Sequence, residues 1–272
     1  MRGIVRKMDV SLADNATVNY QLPLSEQKID LNALLGQSIS LQHTGNIKCI
    51  SCQRAIKKTF NQGFCYPCFS TLAQCDLCIM KPEICHHAAG TCRDPVWADD
   101  FCFQSHYVYL ANSSGIKVGI TRHNQIPTRW IDQGAVQALP IFKVASRHLS
   151  GVIEKALAEF VSDKTSWQKM LKNEQAVVDL IAARDELLIA CKLSLEAITK
   201  QFGHNNIEFL SEQVVDIKYP VLQYPEKVKS FNFDKQPLVS GVLQGIKGQY
   251  LLLDSGVINI RKFTGYEVEF SV

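Results

Sequence analysis

The chain reads as an α+β protein. A small antiparallel β barrel or sandwich is built from its two ends, and between them lie a cysteine-rich module and a mixed α/β core with a long C-terminal helix pair. Three observations predict this. Both ends carry short alternating apolar runs broken by turn residues. Nine of the ten cysteines fall between residues 49 and 102, and residues 106 to 202 pass from strand-like to helical periodicity. These shifts divide the chain into an N-terminal β segment (1–47), a double metal module (48–104), a core with helices (105–205) and a C-terminal β domain (206–272) that packs with the first segment.

Within residues 1–47, SISLQH (38–43) alternates as a strand should, with turn residues at Gly36 and from Thr44 to Asn46. The chain then enters CISC (Cys49, Cys52), followed after twelve residues by CYPC (Cys65, Cys68). Each C-x-x-C turn points two thiolates at one place, and two such turns supply the four sulfurs that a structural zinc prefers, as in a zinc ribbon. Gly63 and Pro67 suit the turns, and Arg54, Lys57 and Lys58 follow the first of them. A second zinc is expected from the next stretch, which holds Cys75, Cys78, Cys85, His86, His87, Cys92 and Cys102. Its expected ligands are Cys78, Cys85, Cys92 and Cys102, with His86 or Cys75 as alternatives and His87 solvated at a loop end.

Residues 106–120 give two short apolar strands joined by a polar turn from Asn112 to Gly115, a hairpin signature. Pro127 suits the first turn of a helix starting near Thr128. A second helix is expected from a Ser150 cap, on Val152, Ile153, Ala156, Leu157, Phe160 and Val161. A long helical stretch is expected from about Glu174 to Phe202, ended by Gly203, with Cys191 in its buried stripe. The C-terminal region reads as strands LVSGVL, QYLLL and VINI, then a last strand with Tyr266, Val268 and Phe270 on one face and Glu267 and Glu269 on the other.

Composition bounds the function. With 272 residues, 46% of them hydrophobic, the chain can bury a substantial core. A net charge of +3 permits nucleic-acid binding without demanding it. The opening MRGIVRKMDV has charges at Arg2, Arg6, Lys7 and Asp9 with no apolar run behind them, so no secretion signal is expected. No apolar stretch approaches the length of a membrane-spanning helix. Unpaired thiols in this number point to a reducing cytoplasm. Over residues 106–160 the basic Lys117, Arg122, Arg129, Lys143, Arg147 and Lys155 outnumber Asp132, Glu154 and Glu159. Tyr107, Tyr109, His123 and Trp130 lie among them. Lys117, Arg122, His123, Arg129 and Trp130 are therefore the candidates for gripping a phosphate backbone and stacking a base, with a core role for Trp130 as the alternative.

Residues 107–154 resemble the core of GIY-YIG nucleases, in which two short motifs on a hairpin precede a helix arginine and a later glutamate. The first motif falls on Tyr107, Val108 and Tyr109, and the second on Lys117, Val118 and Gly119. The resemblance implies Arg129 as the helix arginine and Glu154 as ligand for magnesium or manganese, with Tyr107, Tyr109 and Lys117 completing a catalytic set. It departs at two places, since Tyr107 replaces the first motif's glycine and Lys117 the second motif's tyrosine. The blocks GTCRDPVW, YLANSSGIKVGITRHNQIPTRWIDQGA and GIKGQYLLLDSGVINIRKF together resemble a prokaryotic domain family with no assigned activity. The expectation is a zinc-containing protein that interacts with DNA or RNA. It either cleaves phosphodiesters or uses the nuclease-like fold as a non-catalytic nucleic-acid-binding or protein-interaction adaptor.

Overall fold

The computed structural model describes residues 1–161 and 166–272. Strands β1 (Arg2–Ile4), β2 (Asp9–Leu12), β3 (Val18–Leu24), β4 (Gln27–Asp30) and β5 (Ser38–Ile47) open the chain, and short helices α1 (Tyr66–Thr71), α2 (Leu77–Met80) and α3 (Pro95–Phe101) punctuate the cysteine-rich segment. Next come β6 (His106–Asn112), β7 (Ile116–Arg122), α4 (Thr128–Asp132), β8 (Gln137–Val144) and α5 (Arg147–Ala158). They are followed by α6 (Trp167–Leu171), α7 (Leu180–Ala190), α8 (Lys192–Phe202), β9 (Ile207–Phe209) and β10 (Val215–Asp216). Strands β11 (Leu238–Lys247), β12 (Tyr250–Leu253), β13 (Gly256–Asn259) and β14 (Tyr266–Ser271) close the chain.

Among the described residues the fold is mixed α+β with three antiparallel sheets. Strands from both ends of the sequence share a six-stranded sheet in the order β1-β14-β5-β11-β12-β13. Alternation explains the seam: Tyr266, Val268 and Phe270 turn inward from β14 while Glu269 faces solvent. Glu267, on the outer face, accepts hydrogen bonds from Arg2, Thr44 and Asn46, and the Arg2 contact leads in holding its carboxyl down to about 2. The second sheet is β2-β3-β4. The third has the order β10-β8-β6-β7, with β9 also pairing β8.

This third sheet lies between two apolar clusters. Side chains alternate along β6, so Tyr109 and Ala111 join Trp130, Ile131, Leu41, Val239 and Phe263, while Val108 and Leu110 join Leu149, Ile153, Leu157 and Leu187. Each such leucine or isoleucine, fully buried, contributes about 1.5–3 kcal/mol relative to exposure. The helix α5 is thereby fixed against one face of the hairpin, and α4 against the other.

Two local expectations are corrected. The stretch expected to be helical from Glu174 begins at Leu180, because the Asp179 carboxylate accepts from the N–H groups of Ile181 and Ala182 and starts the helix there. It also breaks at Cys191, giving α7 and α8 rather than one rod. Helix α5 is capped by Ser146, whose Oγ accepts from the Leu149 N–H at 3.3 Å, and not by Ser150, which lies inside the helix.

Candidate functional site

Cys49, Cys52, Cys65 and Cys68 converge, with their four sulfurs within 4.8 Å of one another. The Cys52 and Cys65 sulfurs are 3.7 Å apart. Tetrahedral zinc with Zn–S of about 2.3 Å sets sulfurs about 3.8 Å apart, so the spacing suits one ion. Backbone bonds build the two turns: Cys49 N–H donates to Arg54 O at 3.0 Å and Ile50 N–H to Gly63 O at 2.9 Å. Gly63 has φ +130°, and a Cβ there would come within 2.8 Å of the Ile50 side chain, which explains the glycine. Burial opposes ionisation of the Cys49 thiol, but N–H groups of Cys52, Cys65 and Ser51 aimed at its sulfur bring it down to about 6. The contact with Cys65 pushes Cys68 up to about 12, the mutual resistance of four packed thiols that a cation between them relieves. The module is tied to the β body by Lys48 N–H to Gly265 O (2.8 Å) and Arg261 Nε–H to Gln62 Oε1 (2.6 Å).

A second constellation forms at the edge of the third sheet. Tyr109 on β6 faces Gly119 on β7, and a Cβ on Gly119 would lie 2.7 Å from the Tyr109 hydroxyl. The glycine leaves room for the tip of the Tyr109 ring over β7. There the hydroxyl donates to Gln133 Oε1 at 3.1 Å, and Arg129 from α4 and Glu154 from α5 act on it electrostatically. Burial dominates its titration, pushing it up to about 12. Glu154 is likewise raised to about 7, first by burial and also by Glu83, against the opposing pull of Arg129 and Arg147. It lines a cavity of about 280 Å³ with Met80, Lys81, Pro82, Glu83 and Val118.

Lys117 pairs with Ala111, two residues from the Tyr109–Gly119 pair, and so shares the face of Tyr109. Tyr107 is half-buried on the same face, opposite Thr121. The Arg122 guanidinium lies 3.9 Å over the Phe101 ring, and His123 is exposed at the end of β7. Trp130 takes the core alternative: at 2% exposure, edge-on to Tyr109, it has no face to offer a base. Lys143 pairs with Glu208 at 3.4 Å.

In the second cysteine stretch, one sulfur, one carboxylate and one imidazole come within 4.8 Å: Cys78, Asp76 and His86. Asp76 also caps α2 at the Cys78 N–H and receives Arg93 Nε at 2.8 Å. Cys75 is buried elsewhere, beside Asn61, with burial raising its thiol. His87 lies edge-on to Phe103. Sequence reasoning singled out neither Asp76, Gln133 and Glu83 nor a site role for Arg147. Only Asp76 carried a local signal, an acidic cap just before Leu77. The others arrive from distant segments through the fold.

Among the described residues, no helix is long and apolar enough to cross a membrane. No curated protein and no solved structure matches the chain. A family model does match, over residues 36–268, which spans the cysteine module, the third sheet and most of the closing strands. The chain belongs to the DUF2797 family, described as proteins of unknown function.

Proposed function

We propose that the chain is a zinc-containing protein acting on nucleic acid, with Tyr109, Arg129 and Glu154 forming a GIY-YIG-like phosphodiester-cleaving site. The reading is supported by the electrostatic influence of Arg129 of α4 and Glu154 of α5 on the buried Tyr109 hydroxyl, with Glu154 also lining a cavity. Arg129 is the phosphate clamp, since a fixed guanidinium stabilises the charge that grows on the phosphoryl oxygens. Tyr109 stays protonated near neutral pH and works as an orienting hydroxyl, held by Gln133. Lys117, on the same face, contributes positive charge toward the backbone.

The residues present fit a divalent cation. Burial raises Glu154 to about 7 despite Arg129 and Arg147, and a divalent cation held by Glu154 beside Glu83 on the same cavity would offset that cost. When bound, magnesium or manganese supplies charge against the leaving oxygen.

A second reading, a non-catalytic nucleic-acid adaptor, draws on the complete burial of Tyr109 and on the lysine at position 117. Labelled single-stranded and duplex DNA and RNA, incubated with zinc-loaded protein and magnesium or manganese, separate the two. Cleavage that falls at least a hundredfold in Arg129→Ala supports the first. Salt-weakened binding without cleavage under any ion supports the second, and absence of both binding and cleavage removes nucleic acid from the account.

A further inference from the structure

No residue from Leu72 to Phe103 belongs to any of the apolar clusters of the fold. The stretch contains only α2, α3 and isolated 3-10 turns, and its large side chains Leu77, Met80, Ile84, Val96 and Phe103 are exposed. Burial does not hold such a segment in one shape, and small coreless modules are ordinarily fixed by disulfides or metal. Its cysteines are unbridged.

Three half-buried side chains of this stretch, Asp76, Cys78 and His86, bring a carboxylate oxygen, a sulfur and a ring nitrogen within 4.8 Å of one another. Their hydrogen bonds leave a place for a cation. The Thr91 hydroxyl donates to the His86 carbonyl at 3.3 Å, so at 2.8 Å from the ring it accepts from Nδ1–H. In the neutral imidazole this leaves Nε2 as a bare lone pair, and it faces Asp76 Oδ1, a second acceptor, at 3.4 Å. That separation is long for a charged hydrogen bond, which runs about 2.7–2.9 Å. It is the separation of two ligands on one ion: atoms about 2.0–2.1 Å from a tetrahedral zinc lie about 3.4 Å apart.

The outer polar groups are arranged to hold these atoms in place. Thr91 fixes the imidazole through Nδ1, and Arg93 Nε takes Asp76 Oδ2 at 2.8 Å, which turns Oδ1 toward the ring. The Cys78 N–H donates to that same Oδ1 at 3.3 Å and draws the thiol toward it. A ligating histidine with its other nitrogen bonded, beside a ligating carboxylate that is itself bonded, is the usual outer shell of a metal site.

We propose that Asp76 Oδ1, Cys78 Sγ and His86 Nε2 hold a second zinc ion, with its fourth position open to water, and that this ion pins the wall of the Glu154 cavity. A mixed oxygen, sulfur and nitrogen set suits zinc and does not suit magnesium or calcium. Its ligands Cys78 and His86 flank the segment that makes the wall, since Met80, Lys81, Pro82 and Glu83 line the cavity with Glu154. Within that segment Ile79 O accepts from Arg147 Nη2 at 2.5 Å, and a Cβ on Gly151 of α5 would meet Pro82 and Glu83 at 2.5 and 2.8 Å. Neither the ion nor the pinning rests on the reading of Glu154 as catalytic.

Zinc content of the full-length protein tests this without any cleavage assay. The expected result is two zinc ions per chain, falling to one in Cys78→Ser and in His86→Ala, with two retained in Cys85→Ser and Cys92→Ser. One ion per wild-type chain would leave Asp76, His86 and Arg93 as an ion-pair network only and overturn the site. So would two ions in His86→Ala, or loss of an ion in Cys85→Ser or Cys92→Ser. Cobalt titration of the metal-free wild-type protein decides where a variant fails to fold. One cobalt should bring the thiolate charge-transfer band of four sulfurs, and the other should add about a quarter of that intensity. Equal increments from both ions would contradict a one-sulfur site. Hydrogen exchange in residues 79–85 should quicken about tenfold in His86→Ala while β11 to β14 stay as in wild type. Unchanged exchange there would overturn the pinning of the wall.

Discussion

The first cysteine centre and the charged sheet edge treat polar groups in opposite ways. In the centre, N–H groups turn toward Cys49 and favour its thiolate, and the neighbouring thiols that push Cys68 up to about 12 share a spacing that one ion satisfies. At the edge, burial works against the charges: Glu154 is lifted to about 7, Tyr109 to about 12, and the Arg147 Nε has no partner among the described residues. The first arrangement suits a bound ion. The second is costly to keep, and groups with displaced titration beside a cavity are candidates for a functional site.

The contrast breaks most visibly at the zinc-suited centre. Structural zinc in small modules is worth roughly 10 to 16 kcal/mol of apparent binding free energy, as much as the whole stability of many domains. Cys49→Ser, or strong chelation, should unfold residues 48–68 and open them to proteolysis. Wild-type proteolytic resistance in Cys49→Ser would show that the module does not depend on metal.

Glu154→Gln should act in the opposite direction and stabilise. A carboxyl raised from 4.5 to about 7 contributes stability that is fully present below pH 4.5 and lost as pH rises through 7. Removing the charge should therefore raise stability at pH 8 by up to about 3 kcal/mol and change little at pH 4, in denaturant titrations at both values. Equal effects at the two pH values would mean that the edge stores no such cost. Gly119→Ala should lose about 1–3 kcal/mol, because the methyl enters the space of the Tyr109 ring. A neutral result in thermal melts would mean that Tyr109 is free to move off the edge.

The smallest effect concerns the link between the two regions. Gln62 of the cysteine module accepts from Arg261, which lies 3.7 Å from Asp132 on α4, where Lys7 (2.5 Å) and Gln249 (2.8 Å) also bind. Asp132 is on the same short helix as Arg129. Gln62→Ala should cost about 0.5–1.5 kcal/mol in melts. A loss beyond that would mean that the module does more to hold α4 than this one bond explains.

What the sequence made legible was local. Two C-x-x-C turns announce a four-sulfur cluster because spacing alone brings their thiols together. The alternation of Tyr266, Val268 and Phe270 marks their strand for the same kind of reason. The break at Cys191 was not legible, since apolar periodicity continues across it and only the backbone turns. The burial of Trp130 depends on β strands that close more than a hundred residues later, and so does the anchoring of Asp132 by Gln249 and Arg261. The meeting of Glu83 with Glu154 follows from a coreless loop packing on α5, which no local pattern encodes.

The most direct test of the proposed site is to incubate labelled DNA and RNA and magnesium or manganese with the zinc-loaded wild-type protein and with folded Glu154→Gln, and to compare the cleavage. The account predicts a variant more stable at pH 8 whose cleavage is lost by a factor of a hundred or more. Wild-type cleavage in that stabilised variant would contradict it, and would leave the charged edge as a feature of the fold alone.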